Sequence, residues 1–497
     1  MLQDGFITGR GHSRIPVLHT MASGAITEGH TDQMATVIVS GIRIPATESG
    51  DFPTVTVSTQ TVDCERVNSN RRFGRSTIIN KRLLLDNKCS TTSHFWGLCG
   101  LGIALASLWA PCQAAQARSV TQYGITWTFG ELRETGIFAN GDPWVVGPVS
   151  IIAISPAFDG RNNGWQVNPA VSEVHGFQSG CSNGQFDPSL VPSLPYRASA
   201  GQSIVKSIAS GGSRPCLQTA AVLTVVERIP PDSGRTVFRP PYVGSQKPYY
   251  STTSLRRDLL PSLAPVSSAP SLGWVYERFR RVQLDHIPGS QSQALRPIDN
   301  LDSYAADIGR DEAEGALRLM LNDPWSAKLP ALVAYVQNGI DIYHMLLNGQ
   351  TWPRGGGEQP AHSLPLAFAG IMLGHPGMTT FISQHPGLLY NDHAVYLGSN
   401  GVALFGYSTS GDPLDNEKRY WRYLVTGGGS KTHRDPYGLI DGGMPGDDYQ
   451  TCCTSQPWKG MMLAIHLMPQ LRTAWNNPAL LQYADRWVER GAWTQPD

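Results

Sequence analysis

Between Gly124 and Glu227 apolar residues fall in short alternating or continuous runs, and beyond Asp302 they recur at helical spacing. ITWTF (125–129), PWVVGPVSIIAIS (143–155) and GWQVNP (164–169) are rich in β-branched and aromatic residues, the composition of half-buried strands. Asn140-Gly141-Asp142 and Asp159-Gly160-Arg161-Asn162 are turn signals between them. SIVKSIAS (203–210) and LQTAAVLTVVE (217–227) continue the pattern. After the proline pairs at 230–231 and 240–241 the period changes. Over Asp302–Leu321, Ile308, Leu317, Met320 and Leu321 share one side, opposite acidic residues and arginines. That spacing predicts an amphipathic helix, stopped by Pro324. Further helices are predicted over Leu329–Leu347, Leu364–Leu373, Trp458–Leu467 and Pro478–Val488. Long Gly- and Pro-rich loops, Trp352–Pro360 and Thr426–Pro445, join them, and such loops usually carry function. The expected fold class is α+β: a β-rich, sandwich-like region over 118–230, then a helical region over 231–497.

Residues 94–117 read differently. Lys81, Arg82 and Lys88 form a basic flank, an uncharged apolar run follows, and Ala115-Gln116-Ala117 supplies a small-residue cleavage pattern. The run is too short, and its exit too polar, for a comfortable membrane span. Gly97, Gly100, Gly102 and Pro111 suit a core helix poorly. The expectation is a signal peptide behind an over-extended reading frame, with a start near Lys81–Leu85 and cleavage after Ala117. The mature protein would be secreted or periplasmic, with no stable membrane insertion. Residues 1–93, which lack a sustained period, are expected to be a disordered or mis-annotated extension.

Composition narrows the chemistry. Formal charge is zero and only 16% of residues are charged, so no basic stripe exists for a nucleic-acid backbone. Thirteen Trp and seventeen Tyr suit the C–H faces and hydroxyl edges of sugars, although ordinary core packing accounts for most of them. Four of the eight cysteines follow the cleavage pattern: Cys181, Cys216, Cys452 and Cys453. Export would allow a Cys181–Cys216 disulfide, while the vicinal pair lacks the spacing of a zinc site. No cofactor is expected, a calcium ion being the open alternative, and the oligomeric state is left open.

Two clusters carry candidate chemistry. Gln337, Asp341, His344 and Asn348 fall on one stripe of the helix over Leu329–Leu347, with apolar residues covering the rest. No Lys or Glu occurs between Lys328 and Arg354, which favours the wall of a cavity over an ordinary surface face. In the second cluster, His433-Arg434-Asp435-Pro436-Tyr437, a fixed cation beside a phenol favours phenolate and suits Tyr437 for proton transfer. A satisfied structural loop is the alternative. Arg419 and Tyr423 fit a snorkelling amphipathic helix better than a site. His362, His393 and Tyr396 stand in reserve.

FANGDPWVVGPVSI (138–151), FRPPYVG (238–244), VQNGIDIYHML (336–346), LPLAFAGIMLG (364–374), RDPYGLIDGG (434–443) and YQTCCTSQPWKG (449–460) together resemble a group of exported bacterial proteins. That group pairs an N-terminal β-rich region with an incomplete (α/α) toroid, an architecture similar to several polysaccharide lyase families. The resemblance implies an acidic polysaccharide as partner and β-elimination at a uronic acid as reaction. It delivers no catalytic residues one by one, and His362 stands where the group has Arg.

Such a lyase must neutralise the C6 carboxylate, remove the C5 proton and protonate the leaving O4. The residues expected to do so are Gln337 or Asn338 with Arg434 as neutralisers, His344 or His433 as base, and Tyr437 as acid. Asp341, Asn348 and Trp352 are expected to bind substrate. A glycoside hydrolase on the same toroid is the alternative, with Asp341, Glu358, Asp392, Asp441, Asp447 and Asp448 as available carboxylates. A non-catalytic glycan-binding envelope protein is the third reading.

Overall fold

The structure is a computed structural model that describes 39–43, 56–59 and most of 115–490; within that last span it leaves out 182–184, 213–214, 289–294, 301–304, 354–356, 387, 390–394, 398–402 and 406–453. The chain divides into two compact units, 1–60 with 113–497 and 61–112, and every described residue belongs to the first. Strands β1 (Val39–Arg43) and β2 (Thr56–Thr59) pair antiparallel inside the stretch expected to lack strand periodicity. An isolated hairpin of that length is marginal by itself.

The β-rich region is one mixed sheet of eight strands. Its members are β3 (Ala115–Gln122), β4 (Ile125–Ile137), β5 (Pro143–Val146), β6 (Val149–Ser155), β7 (Trp165–Val167), β10 (Tyr196–Ala198), β11 (Gln202–Ala209) and β12 (Leu217–Val226). The order is β10-β6-β4-β5-β12-β11-β7, with β3 paired to β4 and β12 parallel to β5. Short strands β8 (Val174–His175) and β9 (Gln185–Phe186) pair parallel outside it.

In β4, Ile125, Trp127 and Phe129 point into the sheet's own core, while Thr126 and Thr128 between them are only partly covered. That alternation is the period-two signal seen in the sequence. Strand β12 departs from it, being buried on both faces. Ala221, Leu223 and Val225 join the core of the sheet, whereas Leu217, Ala220 and Val222 join the core of the helices. A strand sandwiched in this way reads as a continuous apolar run.

Cys181 and Cys216 form a disulfide with Cα atoms 5.2 Å apart, tying the loop after β8 to the start of β12. The loop closed by this bond spans 35 residues of sequence separation. Replacing both cysteines by serine should therefore cost about 2–4 kcal/mol of stability. Denaturant unfolding of the double variant under non-reducing conditions checks this, and an unchanged midpoint would contradict it.

The helices are α1 (Leu272–Phe279), α2 (Ala305–Leu319), α3 (Trp325–Leu347), α4 (Glu358–Leu373), α5 (Pro376–Gln384), α6 (Ser455–Leu467), α7 (Pro469–Trp475) and α8 (Pro478–Arg490). A small hairpin, β13 (Val395–Leu397) with β14 (Ala403–Phe405), lies between α5 and α6 in sequence. All five predicted helical segments carry a helix. The α+β expectation therefore holds, as a β-rich region followed by helices.

Helices α3 and α4 are almost wholly buried. Helix α3 packs on α1 and α4, and α4 also meets α2, α5 and α7. The α3–α4 approach is tight at Gly339, where an added Cβ would lie 2.2 Å from the Pro365 carbonyl oxygen and 2.5 Å from Ala369 Cβ. Both obstacles sit in a buried helix that has little room to retreat. Gly339→Ala should cost about 1–3 kcal/mol through overpacking, despite the better helix propensity of alanine. A thermal midpoint at or above wild type would contradict that packing.

Candidate functional site

After a short 3-10 turn at Pro231–Gly234 the chain forms a loop, 239–249, that straps the C-terminal half of α3. Its base is closed by a bridge between Val237 and Ser251, with Phe238 N donating to Tyr250 O at 2.9 Å and Thr252 N to Thr236 O at 2.9 Å. Pro240 and Pro241 hold the first limb extended and remove two backbone donors from the contact.

Gln337, Asp341 and His344 of the polar stripe on α3 face this strap and are buried against protein, while Asn348 at the helix end is exposed. Gln337 Nε2 donates to Arg239 O at 3.1 Å, and Asp341 pairs with the Arg239 guanidinium. His344 Nε2 and Tyr250 OH are hydrogen-bonded at 2.9 Å. Asn348, exposed at the end of the helix, donates to the His344 carbonyl at 2.8 Å, and Gly244 of the strap lies against its side chain.

Arg239 is fully enclosed, at 1% exposure, and also donates to Asp142 at 2.5 Å from the turn between β4 and β5. One guanidinium thus joins sheet, strap and α3. Burial opposes its charge, but Asp341 and Asp142 outweigh that and hold the guanidinium above its usual range. Burial pushes the Asp341 carboxyl up, because a single cation shared by two carboxylates does not fully offset desolvation.

Near the outer end of the stripe four rings meet edge to face. Tyr250 contacts His344 and His375 at centroid distances of 6.0 and 5.5 Å, and Tyr343 contacts His344 and His375 at 5.2 and 5.5 Å. Tyr250, Tyr343 and His375 are half-buried, whereas His344 is only 5% exposed behind them. Burial drives the His344 imidazole down to about 4 and the Tyr250 phenol up to about 12. At neutral pH the pair therefore consists of a neutral imidazole and an intact phenol. That combination can accept one proton and give one.

Lys247 lies on the same strap, its ammonium donating to Pro241 O at 2.6 Å and Val243 O at 3.3 Å. Burial lowers it to about 7, and the positive charge of Arg239 adds to the effect.

A second network lies deeper. Arg296 makes a two-pronged contact with Asp285, one arm at 2.8 Å, and His362 Nε2 reaches the same carboxylate at 3.3 Å. Trp352 stacks on His362 with centroids 3.9 Å apart and planes at 14°. Trp352 is 3% exposed, so it covers a buried histidine and presents no platform to a sugar. Asn338 points away from the strap and donates to Glu312 at 2.6 Å, where burial raises the Glu312 carboxyl well above its usual range. Tyr437, His433, Arg434 and Tyr396 were also candidates. The first three lie outside the described residues, and of Tyr396 only the strand backbone is described.

Sequence reasoning missed Tyr250, Lys247, Arg239 and Asp142. One signal was available, an arginine set between Phe238 and two prolines, where a charge demands a buried partner. Nothing local identified that partner, since Asp341 is 102 residues away.

Buried neutral histidines make the fold acid-sensitive. Burial lowers His175 to about 4, His286 to about 3 and His344 to about 4, against about 6.5 in an unfolded chain. Between those limits the unfolded chain binds more protons, so stability is complete above about pH 6.5 and falls as the pH drops toward about 4. Thermal midpoints measured across that interval should decline steadily; a flat series would contradict neutral burial.

No protein-family model, curated protein or solved structure matches the chain. Among the described residues no group of three His, Cys, Asp or Glu is placed to hold a metal ion, and no helix is long and apolar enough to cross a membrane.

Proposed function

We propose that the protein is an exported polysaccharide lyase that cleaves a uronic-acid polymer by β-elimination, its helical region forming an incomplete (α/α) toroid. The supporting observation is the Tyr250–His344 pair at 2.9 Å, half-open to solvent on the Tyr250 side. In the proposed step Tyr250 turns its phenolic proton to the leaving O4, which frees the Nε2 lone pair of His344. His344 takes the C5 proton, the C5–H electrons form the C4=C5 bond, and the C4–O4 bond breaks. The proton on His344 then returns to Tyr250 across their hydrogen bond. Atoms and charge balance, the net change being one proton moved from C5 to O4.

The hydrolase alternative needs two free carboxyl groups facing one another. Of the carboxylates considered for it, Asp341 is engaged by Arg239 and Glu358 is 3% exposed; Asp392, Asp441, Asp447 and Asp448 lie outside the described residues. Neither of the two described carboxylates is therefore free for the paired-carboxyl chemistry of a hydrolase. Incubation with a panel of uronate polymers should raise the ultraviolet absorbance of the unsaturated uronate product. New reducing ends without that absorbance would support hydrolysis, and neither signal would support a glycan-binding protein.

Export is part of the proposal. The disulfide fits an oxidising compartment. Cleavage after Ala117 would remove the pairing of Ala115, Gln116 and Ala117 with Thr135, Glu134 and Arg133, leaving Ser119–Gln122 paired to Ile125–Thr128 beyond a bulge. N-terminal sequencing of exported protein should begin at Arg118; a chain that keeps Ala115–Ala117 would place the cut elsewhere.

A further inference from the structure

The strap carries a cation that the fold leaves incompletely used. Of the three N–H donors on Lys247, two go to the carbonyls of Pro241 and Val243 within the strap itself. Among the described residues no carboxylate lies within ion-pair distance of it, and the acidic group whose charge it feels, Asp341, is already bound by Arg239. The charged and titratable groups around the ammonium are thus Arg239 on the strap with Asp341 and His344 on α3. A half-desolvated ammonium with a spare donor gains strongly from a carboxylate brought by a ligand.

Its position suits that use. Lys247 stands three residues before Tyr250, and Tyr249 between them is 47% exposed. An exposed phenol ring offers a sugar its apolar face while a neighbouring cation takes the acidic substituent. At the other edge Asn348, also exposed, lies against Gly244 of the same strap.

We propose that Lys247 binds a carboxylate of the polysaccharide, so that the 239–249 strap selects an acidic sugar and sets it beside Tyr250 and His344. The substrate class rests on the lyase reading; the anion site rests on the strap geometry. In this role Lys247 touches substrate, and it would supply carboxylate neutralisation from the described side of the site, where Gln337 and Asn338 are both turned to other partners. Anion binding favours the protonated amine. Affinity should therefore be full below about pH 7 and weaken above it, as the free amine loses its proton.

The test uses the full-length protein and oligomers of galacturonate, glucuronate, mannuronate and guluronate, each beside its carboxyl-reduced neutral counterpart. Calorimetry should find at least one acidic oligomer bound roughly tenfold or more tighter than its neutral counterpart, the scale of one charge-assisted hydrogen bond. Lys247→Met should abolish the difference and Lys247→Arg should retain most of it. Because Lys247 also braces the strap, circular dichroism melts accompany each variant. If Lys247→Met does not fold, the Lys247→Arg and wild-type pH series decides: the wild-type preference must fade above about pH 7 while that of the arginine variant persists. A wild type with no acidic preference, a preference that survives in folded Lys247→Met, or one that fades identically in wild type and Lys247→Arg overturns the proposal. Product absorbance recorded on the same samples reports the lyase reading separately. A Lys247-dependent preference without unsaturated product would leave the anion site standing and remove the elimination chemistry.

Discussion

Tyr250→Phe is expected to reduce turnover of a uronate polymer by about two to four powers of ten, the usual contribution of a general acid or base. The substitution deletes one hydroxyl and leaves the ring contacts with His344 and His375 in place, so substrate affinity should change little. His344→Gln should lose as much, because glutamine keeps a hydrogen-bonding group near Tyr250 but has no basic lone pair to take the C5 proton. The pH profile carries a separate signature. Burial keeps His344 neutral above about 4 and Tyr250 protonated below about 12, so the pair stays competent throughout the neutral range. Any decline near neutrality then belongs to Lys247 and should appear in KM before kcat. Tyr437 is the rival acid from the sequence. If Tyr437→Phe abolishes turnover while Tyr250→Phe does not, the acid belongs to the 433–437 loop and the pair described above is structural.

The largest stability effect is expected at Arg239. Removing it by Arg239→Ala leaves Asp142 and Asp341 buried without their shared cation, Asp142 keeping only the neutral hydrogen bonds from Gln122 and Asn140, and should cost about 3–5 kcal/mol. Arg239→Lys should recover only part of that, because a single ammonium does not reproduce the planar fork that reaches both carboxylates. The origin of the loss can be isolated. Neutralising both acids with Asp142→Asn and Asp341→Asn beside Arg239→Met removes the stranded charges, and the triple variant should be more stable than Arg239→Ala alone. Denaturant midpoints for the set decide it. If Arg239→Ala matched wild type, the guanidinium would not be the joint between sheet, strap and α3.

Much of the architecture was legible because its signals are local. Ile125, Trp127 and Phe129 announce a strand by alternation, and the apolar spacing over Asp302–Leu321 announces a helix, which ends at Leu319 and so leaves Met320 and Leu321 beyond it. The α3 stripe was legible too: Gln337, Asp341 and His344 do share a direction. What the period does not encode is what lies opposite. A polar stripe on an otherwise apolar helix demands hydrogen-bonding partners, and a cavity, solvent or another segment can each supply them. Here the partner is a proline-stiffened strap about a hundred residues upstream, held by Arg239, Tyr250 and the bridge at Val237 and Ser251. Trp352 misled for a related reason. Its ring suits a sugar face, but it suits the face of a buried histidine equally well, and only the fold places His362 beneath it.

Elimination and hydrolysis differ in one atom balance, which offers the most direct test of the central claim. A uronate polymer cleaved in oxygen-isotope-labelled water by the wild-type protein should give fragments whose masses sum to that of the parent chain. They should contain one unsaturated end per cut and no label beyond the slow exchange of reducing-end oxygens shown by a control sugar, and Tyr250→Phe should give almost none of them. Fragments that gain a water molecule and its label at every cut would contradict β-elimination, as would a wild-type protein that leaves every uronate polymer intact.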